Sequence, residues 1–246
     1  MNFSSDLKWF SPSESQQKIF EEMFQVGKNP WAIEKNFYKK CEKYFKYILW
    51  IPGLRMIWVG NTIAMNCAKK SSDIDLYIVS TPKRLWIVRI LVTFVFQILR
   101  VRKDDTHHAG RFCLSFFSTT NALDFKNFAL DKDIYLYNWI VHFKPIVNIN
   151  NTYEDFISQN NSWADFLEYK KNISENKKYI KFSRNFPEKN NSKIWNFIEK
   201  ILKKIFLPKT LKHYKKIWKP YGIIISDDML KFHNGDIRKQ TRNKII

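Results

Sequence analysis

Residues 73–80 read DIDLYIVS and place two carboxylates at the start of an apolar run. Side chains alternate along a β-strand, so Asp73 and Asp75 would lie on one face of it. Ile74 and Leu76 would then face the core on the other side. Two carboxylates this close raise each other's pKa unless a cation lies between them. The run therefore predicts a β-strand that begins with a cation-binding pair.

The remaining apolar patterns predict an α/β (α+β) fold, with a small mixed β-sheet flanked by helices. Further strands are expected at RMIWVG, residues 55–60, and at RFCLSFFST, residues 111–119. Two helices should precede the first strand, and a helix beginning near Thr81-Pro82 should connect the second strand to the third. Another helix is expected over LDKDIYLYNWIVHF. We therefore expect residues 1–150 to form one domain with N-terminal helices.

Residues 151–246 are expected to form a basic, mostly helical C-terminal region. Residues 169–246 hold 21 Lys and Arg against 6 Asp and Glu, in a chain whose net charge is +19. This asymmetry favours an anionic partner, with RNA ahead of a membrane surface, although a solvated basic face is the alternative. Helical spacing predicts a lysine stripe along a groove that leads to Asp73 and Asp75. The lysines of this stripe are Lys200, Lys203, Lys204, Lys212, Lys215 and Lys216.

The most apolar segment, LWIVRILVTFVFQIL at residues 85–99, raises the question of membrane insertion. It is shorter than the ~20 residues that a membrane span needs. Arg89 and Gln97 also interrupt it. The segment therefore predicts a buried helix and no integral membrane insertion.

The cysteines indicate a reducing compartment. Cys41, Cys67 and Cys113 are widely spaced and form no CxxC pair. A disulfide framework or a zinc site is therefore not expected. The N-terminal MNFSSDLKWFSPSE also lacks an apolar signal core. We expect a cytoplasmic location.

A possible phosphate-binding turn precedes the paired carboxylates. Gly60-Asn61 directly follows the strand at residues 55–60, and a glycine there lets backbone N–H groups approach an anion closely. Asn61 adds an amide donor. Mg²⁺, or Mn²⁺, prefers oxygen ligands and is usually held by carboxylates together with substrate phosphates. A phosphate turn and a carboxylate pair together predict metal-dependent nucleotidyl transfer.

The combination of strand, Gly60-Asn61 and Ser72-Asp73-Ile74-Asp75 resembles the signature of the DNA polymerase beta-like nucleotidyltransferase superfamily. In that family a strand and a Gly-Ser turn precede a Ser-Asp-hydrophobic-Asp strand. The resemblance implies a nucleotidyltransferase-like fold, an NTP substrate and Mg²⁺ or Mn²⁺ as cofactor. The residues it implies are Asp73 and Asp75 as catalytic metal ligands, and Gly60, Asn61 and Ser72 as nucleotide-binding residues.

The sequence departs from the family pattern at three places. Asn61 stands where the family has Ser, and Asn66 where the connecting segment usually has Gly. The family also carries a third carboxylate on a later strand, but the strand at residues 111–119 has no acid. Cys113 or Ser115 would occupy that place. The flanking acids Asp104, Asp105 and Asp124 are weaker substitutes.

Two hypotheses follow from these residues. The chain is either a nucleotidyltransferase that moves a nucleoside monophosphate from an NTP to an acceptor hydroxyl, or a catalytically inactive module that binds nucleic acid or a partner protein. The acceptor of the first hypothesis could be RNA, a protein or a small molecule.

Two further clusters stay open at this point. His107-His108 beside Asp104-Asp105 is more typical of a solvated turn than of a metal site. The segment from Asp227 to Arg238 is rich in polar side chains. It could fold back on the site or form a frayed terminus.

Overall fold

The computed structural model describes residues 10–166, 170–185, 192–215, 222–233 and 235–246. The helices are α1 (Glu14–Phe24), α2 (Ala32–Phe45), α3 (Asn61–Ala64), α4 (Leu85–Ile98), α5 (Ile134–His142), α6 (Thr152–Asn160), α7 (Lys170–Asn176), α8 (Lys193–Lys215) and α9 (Arg238–Ile245). The strands are β1 (Leu54–Val59), β2 (Ile74–Ser80), β3 (Phe112–Thr119), β4 (Lys144–Ile149), β5 (Phe182–Arg184), β6 (Ile223–Ile225) and β7 (Met229–Phe232). Short 3-10 turns occupy Thr120–Ala122, Phe125–Phe128 and Lys177–Tyr179.

Within the described residues, seven strands form one sheet in the order β5-β4-β1-β2-β3-β7-β6. β2 pairs in parallel with β3, and β4 with β5, while the other neighbours are antiparallel. Parallel neighbours need a crossover connection, and α4 supplies the one between β2 and β3. The predicted mixed α/β sheet flanked by helices is confirmed.

Helices cover both faces of this sheet. Alternate residues of β1 belong to two separate apolar cores, Trp58 to one and Ile57 to the other. We call the side that carries Trp58 and Tyr77 the first face, and the side that carries Ile57 and Ile78 the second face. Side chains of α1, α5, α6 and α9 pack on the first face, and those of α2, α4 and α8 on the second. Because both faces are covered, every residue of β1 is buried.

The C-terminal part of the chain completes the sheet. β5, β6 and β7 all come from residues 151–246, so this range and residues 1–150 share one sheet. β7 pairs antiparallel with β3, with Leu230 opposite Phe117. The segment from Asp227 to Arg238 therefore folds back along β3 instead of forming a frayed terminus.

Several element bounds differ from those expected. β4 was not expected. α4 was expected to begin near Thr81-Pro82 but begins at Leu85, because Lys83 has a φ of 61° and a residue in that conformation cannot be part of a right-handed helix. In the region after residue 150 that was expected to be mostly helical, the first helix, α6, ends at Asn160. Pro208 lies inside the continuous helix α8. Lys216 of the predicted lysine stripe lies outside the described residues.

The apolar segment at residues 85–99 forms a packed helix, as predicted. Val88, Val92 and Phe96 of α4 are fully buried on the second face. In the parts of the chain that the structure describes, no helix is both long enough and apolar enough to cross a membrane.

Candidate functional site

The structure brings the two predicted carboxylates together with a thiol. Asp73 immediately precedes β2, Asp75 is the second residue of β2, and Cys113 is the partner of Asp75 on β3. The nearest ligand atoms of the three side chains all lie within 4.8 Å of one another. Asp75 points to the first face, because it alternates with Ile74 and Leu76 of the second core. A small polar cluster therefore lies at the beginning of two parallel strands.

Asn61 connects this cluster to the turn that follows β1. Its Nδ2 donates a hydrogen bond to Asp75 Oδ2 at 2.7 Å, and the N–H of Gly60 donates to the Asp75 carbonyl at 3.0 Å. Asn61 has a φ of 52°, a conformation that asparagine adopts more readily than most residues. The predicted phosphate turn is thus adjacent to the carboxylates, although the Gly60 N–H already has a backbone acceptor.

Gly60 also permits a close approach by α5. A Cβ atom at this position would lie 2.9 Å from Trp139 Nε1 and 3.0 Å from a ring carbon of Phe143. Real side chains do not make contacts this short, so a larger residue would displace the α5 aromatic rings. Glycine is therefore required here for packing, whatever else the turn binds.

Lys103 forms an ion pair with the first carboxylate. Its Nζ lies 2.6 Å from Asp73 Oδ2, and both side chains are partly exposed. Partial burial lowers the pKa of Lys103, but the hydrogen bond to Asp73 and the nearby Cys113 outweigh this effect and raise it. The ammonium group therefore stays charged and neutralises Asp73.

The second carboxylate is held in a less favourable environment. Burial and then the charge of Asp73 raise the pKa of Asp75, while hydrogen bonds from Asn61 and Cys113 act in the opposite direction. The ionised form of Asp75 is therefore electrostatically unfavourable, and an added cation would stabilise it.

Cys113 on β3 is the third side chain of the cluster. Burial and the charge of Asp75 raise the pKa of Cys113 to about 12, so the thiol is protonated at neutral pH. The pairing of β2 with β3 shifts by one residue just after Cys113, because Tyr77 lies opposite Phe116. The hydroxyl of Ser115 then lies 3.3 Å from Nε2 of His233, beyond β7. The polar cluster therefore extends from β2 across β3 to the C-terminal segment.

The flanking acids do not complete the cluster. Asp104 accepts hydrogen bonds from the N–H groups of Thr106 and His107 within its own exposed turn. Asp124 accepts from the N–H of Lys126 at the start of a 3-10 turn. Among the described residues, no third carboxylate groups with Asp73 and Asp75, and His107 belongs to no group of metal-ligating side chains.

A pocket of about 130 Å³ opens beside Asn61, between α5 and the segment after β7. Aromatic side chains form much of its wall. Burial lowers the pKa of His233 to about 3, so its ring is neutral, and its buried Nδ1 has no partner in the described part of the chain. The lining residues are Asn61, Phe128, Tyr135, Leu136, Trp139, Lys231, His233, Gly235, Asp236, Ile237 and Arg238.

Buried charges form one side of this pocket. Arg238 pairs with Asp133 at 3.1 Å and with Asp236 at 2.9 Å, and Lys231 pairs with Asp236 at 3.3 Å. Burial lowers the pKa of Lys231 to about 8. Sequence reasoning missed this network, because Asp133 lies far along the chain from its partner. The density of polar residues between Asp227 and Arg238 was the only available signal.

The lysine stripe on α8 does not reach the carboxylate pair. α8 packs on the second face, whereas Asp75 points to the first. Lys200 and Lys203 line a separate cavity of about 460 Å³ beside Pro82, which follows β2 at its far end. The expected groove from these lysines to the carboxylates is therefore not formed.

Neither a protein-family model nor a curated protein nor a solved structure matches this chain. The function is consequently argued from the geometry of the cluster around Asp73 and Asp75.

Proposed function

We propose that the chain is a nucleotidyltransferase that transfers a nucleoside monophosphate from an NTP to an acceptor hydroxyl. The proposal rests on the proximity of Asp73 and Asp75, whose ligand atoms lie within 4.8 Å of each other. The turn after β1 adjoins this pair, because Asn61 donates a hydrogen bond to Asp75.

The donor set fits a hard divalent cation. Asp73 and Asp75 supply carboxylate oxygens, the ligands preferred by Mg²⁺ and Mn²⁺. A set of two carboxylates and one thiol also differs from the Cys and His sets that typically hold structural zinc. When bound, metal ions in this chemistry neutralise the triphosphate and activate the attacking oxygen. The two aspartates would hold the ion.

The chain's own residues position the carboxylates. The Asn61 amide orients the Asp75 oxygen by a hydrogen bond and favours its ionised form. Gly60, Asn61 and Ser72 lie at the edge of the cluster, where nucleotide phosphates would contact them. The adjoining pocket gives room for a further part of a substrate beside Asn61.

RNA is the acceptor that we propose first. Within residues 169–246, the basic helix α9 packs against α5 beside the pocket. Lys244 of this helix is exposed, and Lys239 is exposed one turn earlier. Lysines of this kind bind phosphates, and the affinity would fall with salt. The three free cysteines suit a reducing cytoplasm, which is the proposed location.

A catalytically inactive module that binds nucleic acid or a partner protein is the second candidate. It is favoured by the Lys103–Asp73 ion pair, in which an ammonium group already neutralises one carboxylate. Among the described residues, the side chain that groups with Asp73 and Asp75 is the thiol of Cys113 and not an acid.

The test is a thermal-shift titration with Mg²⁺ or Mn²⁺, each of the four NTPs, and both together. A ligand present at 100 times its Kd stabilises the fold by about 2.7 kcal/mol. We expect a shift only when metal and triphosphate are both present, and its loss in the double variant Asp73→Asn, Asp75→Asn. The matched control is Asp131→Asn, Asp155→Asn, which removes the same charge from exposed positions.

Transfer is then measured with α-labelled NTP and a short RNA. Labelled RNA from the wild type, but not from the Asp73 and Asp75 variant, supports the enzyme. Metal-dependent NTP binding without transfer to RNA, protein or small hydroxyl acceptors would favour the inactive module. An undiminished thermal shift in the double variant would show that NTP binding does not depend on Asp73 and Asp75, either in an enzyme or in an inactive module.

A further inference from the structure

Helix α8 carries an apolar stripe on its outer side. Ile194 and Phe197 are 70% and 65% exposed, and Ile201 and Ile205 continue the stripe at helical spacing. The opposite side of the helix holds Glu199 and Thr210, which are buried. The helix therefore carries large apolar side chains on its solvent side as well as on the side that packs against the second core.

The outer side of α8 is also uniformly positive. Glu199 is the one acid in the helix, and its carboxylate accepts hydrogen bonds from the N–H groups of Trp86 and Ile87 at 2.9 Å each. This acid therefore faces α4 and leaves the outer surface without a negative charge. The exposed lysines of α8 are Lys193, Lys200, Lys204, Lys209, Lys212 and Lys215.

The neighbouring helix also carries exposed apolar side chains. α4 packs beside α8 on the second face, and its Phe94 and Ile98 are 61% and 63% exposed. These two side chains are one turn apart and point away from the buried residues of α4. Exposed apolar side chains that recur along one side of a helix, as on α8 and α4, mark an interaction surface, whereas isolated ones are common on any protein.

The charge pattern of α8 indicates which kind of partner would bind its outer side. A symmetric contact between two copies of α8 would bring lysines against lysines, which is unfavourable. RNA would pair with the lysines and could stack a base on Phe197, but Ile194, Ile201 and Ile205 would stay exposed to water, because aliphatic side chains do not stack on bases as aromatic ones do. A bilayer with anionic lipids fits both the apolar stripe and the lysines. Its acyl boundary accepts apolar side chains, and its headgroups attract lysines.

We propose that the outer side of α8, together with Phe94 and Ile98 of α4, docks peripherally on an anionic membrane surface. The helix would lie in the plane of the interface, with its 23 residues spanning about 35 Å at ~1.5 Å per residue. Asp75 and the adjoining pocket lie on the first face, so they would stay open to water when the second face is docked. This proposal is independent of nucleotidyl transfer.

The test is co-sedimentation of the full chain with vesicles of phosphatidylcholine alone, and of phosphatidylcholine mixed with phosphatidylglycerol. We expect binding to the mixed vesicles and little to the neutral ones. The change Phe197→Gln, Ile201→Gln should weaken binding more than about tenfold, because it removes two side chains that gain from burial. Its control is Ile19→Gln, Met23→Gln, an exposed apolar pair on α1 of the first face, which should bind as the wild type does.

A second pair of variants tests the charge. Lys200→Gln, Lys204→Gln should weaken binding to the mixed vesicles about 25-fold, since about 1 kcal/mol per basic residue corresponds to about fivefold each. Lys18→Gln, Lys28→Gln is the control at exposed positions away from α8. All of these changes lie on the surface, so circular dichroism melting should match the wild type. Ile205→Gln gives a milder change in the same stripe if the double variant melts early.

Three results would overturn the proposal. The first is an absence of vesicle binding by the wild type at low salt. The second is binding that depends on Lys200 and Lys204 but not on Phe197 and Ile201, which is the behaviour of a general polycation or an RNA-binding face. The third is a dimer in sedimentation equilibrium that the Phe197 and Ile201 variant dissociates.

Discussion

Asn61 Nδ2 donates a hydrogen bond to Asp75 Oδ2 over 2.7 Å, and this contact joins the turn after β1 to the carboxylate on β2. Asn61 adopts a φ of 52°, so the backbone conformation and the side-chain bond both restrict the residue allowed at this position. An amide donor favours the ionised form of a carboxylate. Asn61 therefore partly offsets the effects of burial and of Asp73 on Asp75.

The change Asn61→Gly isolates this contribution. Glycine accepts the positive φ without strain and removes only the amide donor. We expect the pKa of Asp75 to rise further and Mn²⁺ binding near neutral pH to weaken by about tenfold, the loss expected for residues that orient metal ligands. Carboxyl NMR titration and calorimetry measure the two effects. Thr62→Ala, at the exposed neighbouring position, is the control. Unchanged values in Asn61→Gly would contradict the role assigned to the amide.

Lys103 should compete with a metal ion for Asp73. Its ammonium group lies 2.6 Å from the carboxylate, so replacement by Met leaves Asp73 free to bind a cation. We expect Mn²⁺ affinity to rise several-fold, whereas stability falls by at most about 1 kcal/mol because the pair is partly exposed. Calorimetry and urea unfolding measure these changes, with exposed Lys70→Met as control. Weaker metal binding in Lys103→Met would instead indicate that Lys103 orients the site.

Asp75 should make stability depend on pH. Its pKa is raised by burial and by Asp73, so the folded state holds the Asp75 proton more tightly than the unfolded chain does. The ionised group is therefore destabilising at neutral pH, by about 1.4 kcal/mol for each unit of the rise. This penalty vanishes as the pH falls below the unfolded value of about 3.9.

We accordingly expect Asp75→Asn to be more stable than the wild type at pH 7, and the difference to shrink toward pH ~4. Urea unfolding at a series of pH values measures it. Asp155→Asn, at an exposed site on α6, is the control and should show no such convergence. A difference between Asp75→Asn and the wild type that is constant with pH would be incompatible with the raised pKa.

Arg238 should be far more important for stability than its neighbour Arg242. Arg238 is buried between Asp133 and Asp236, so Arg238→Met leaves the buried Asp133 without its cation and leaves Asp236 paired with Lys231 alone. We expect a loss of about 3–5 kcal/mol, as for other broken buried ion pairs. Arg242→Met removes a partly exposed arginine one turn later on the same helix and should cost less than about 1 kcal/mol, because it leaves no buried charge without a partner. Similar losses from the two changes, measured by denaturant unfolding, would contradict the buried network.

The parts of the fold that sequence reasoning predicted have strong local patterns. β1, β2 and β3 are apolar runs ended by polar or glycine residues, and α4 and α5 follow clear start signals. β4 was missed because Pro145 is its second residue, and proline lowers the expectation of a strand. In the structure, Pro145 lies opposite Trp58 at an irregular step of the pairing between β4 and β1. The irregularity accommodates a residue that cannot donate a hydrogen bond.

The candidate site was also predicted only where its residues are close in sequence. Asp73, Asp75 and Asn61 are close in sequence and their proximity follows from strand alternation and one turn. Lys103 was missed, and His233 was expected only as part of a segment that could fold back on the site, because no local pattern indicates which distant residue will approach the cluster. His233 lies 118 positions from its partner Ser115. Only the order of strands in the sheet brings them together.

The position of β7 beside β3 has a consequence for synthesis of the protein. A ribosome that has produced β1, β2 and β3 has already produced both carboxylates, but not the strand that pairs with the remaining edge of β3. Until β7 emerges, that aromatic edge presents unpaired backbone groups to any other extended chain. The nascent protein therefore passes through a long interval in which its polar cluster exists without the segment that closes it, and that interval is when it most needs protection by a chaperone.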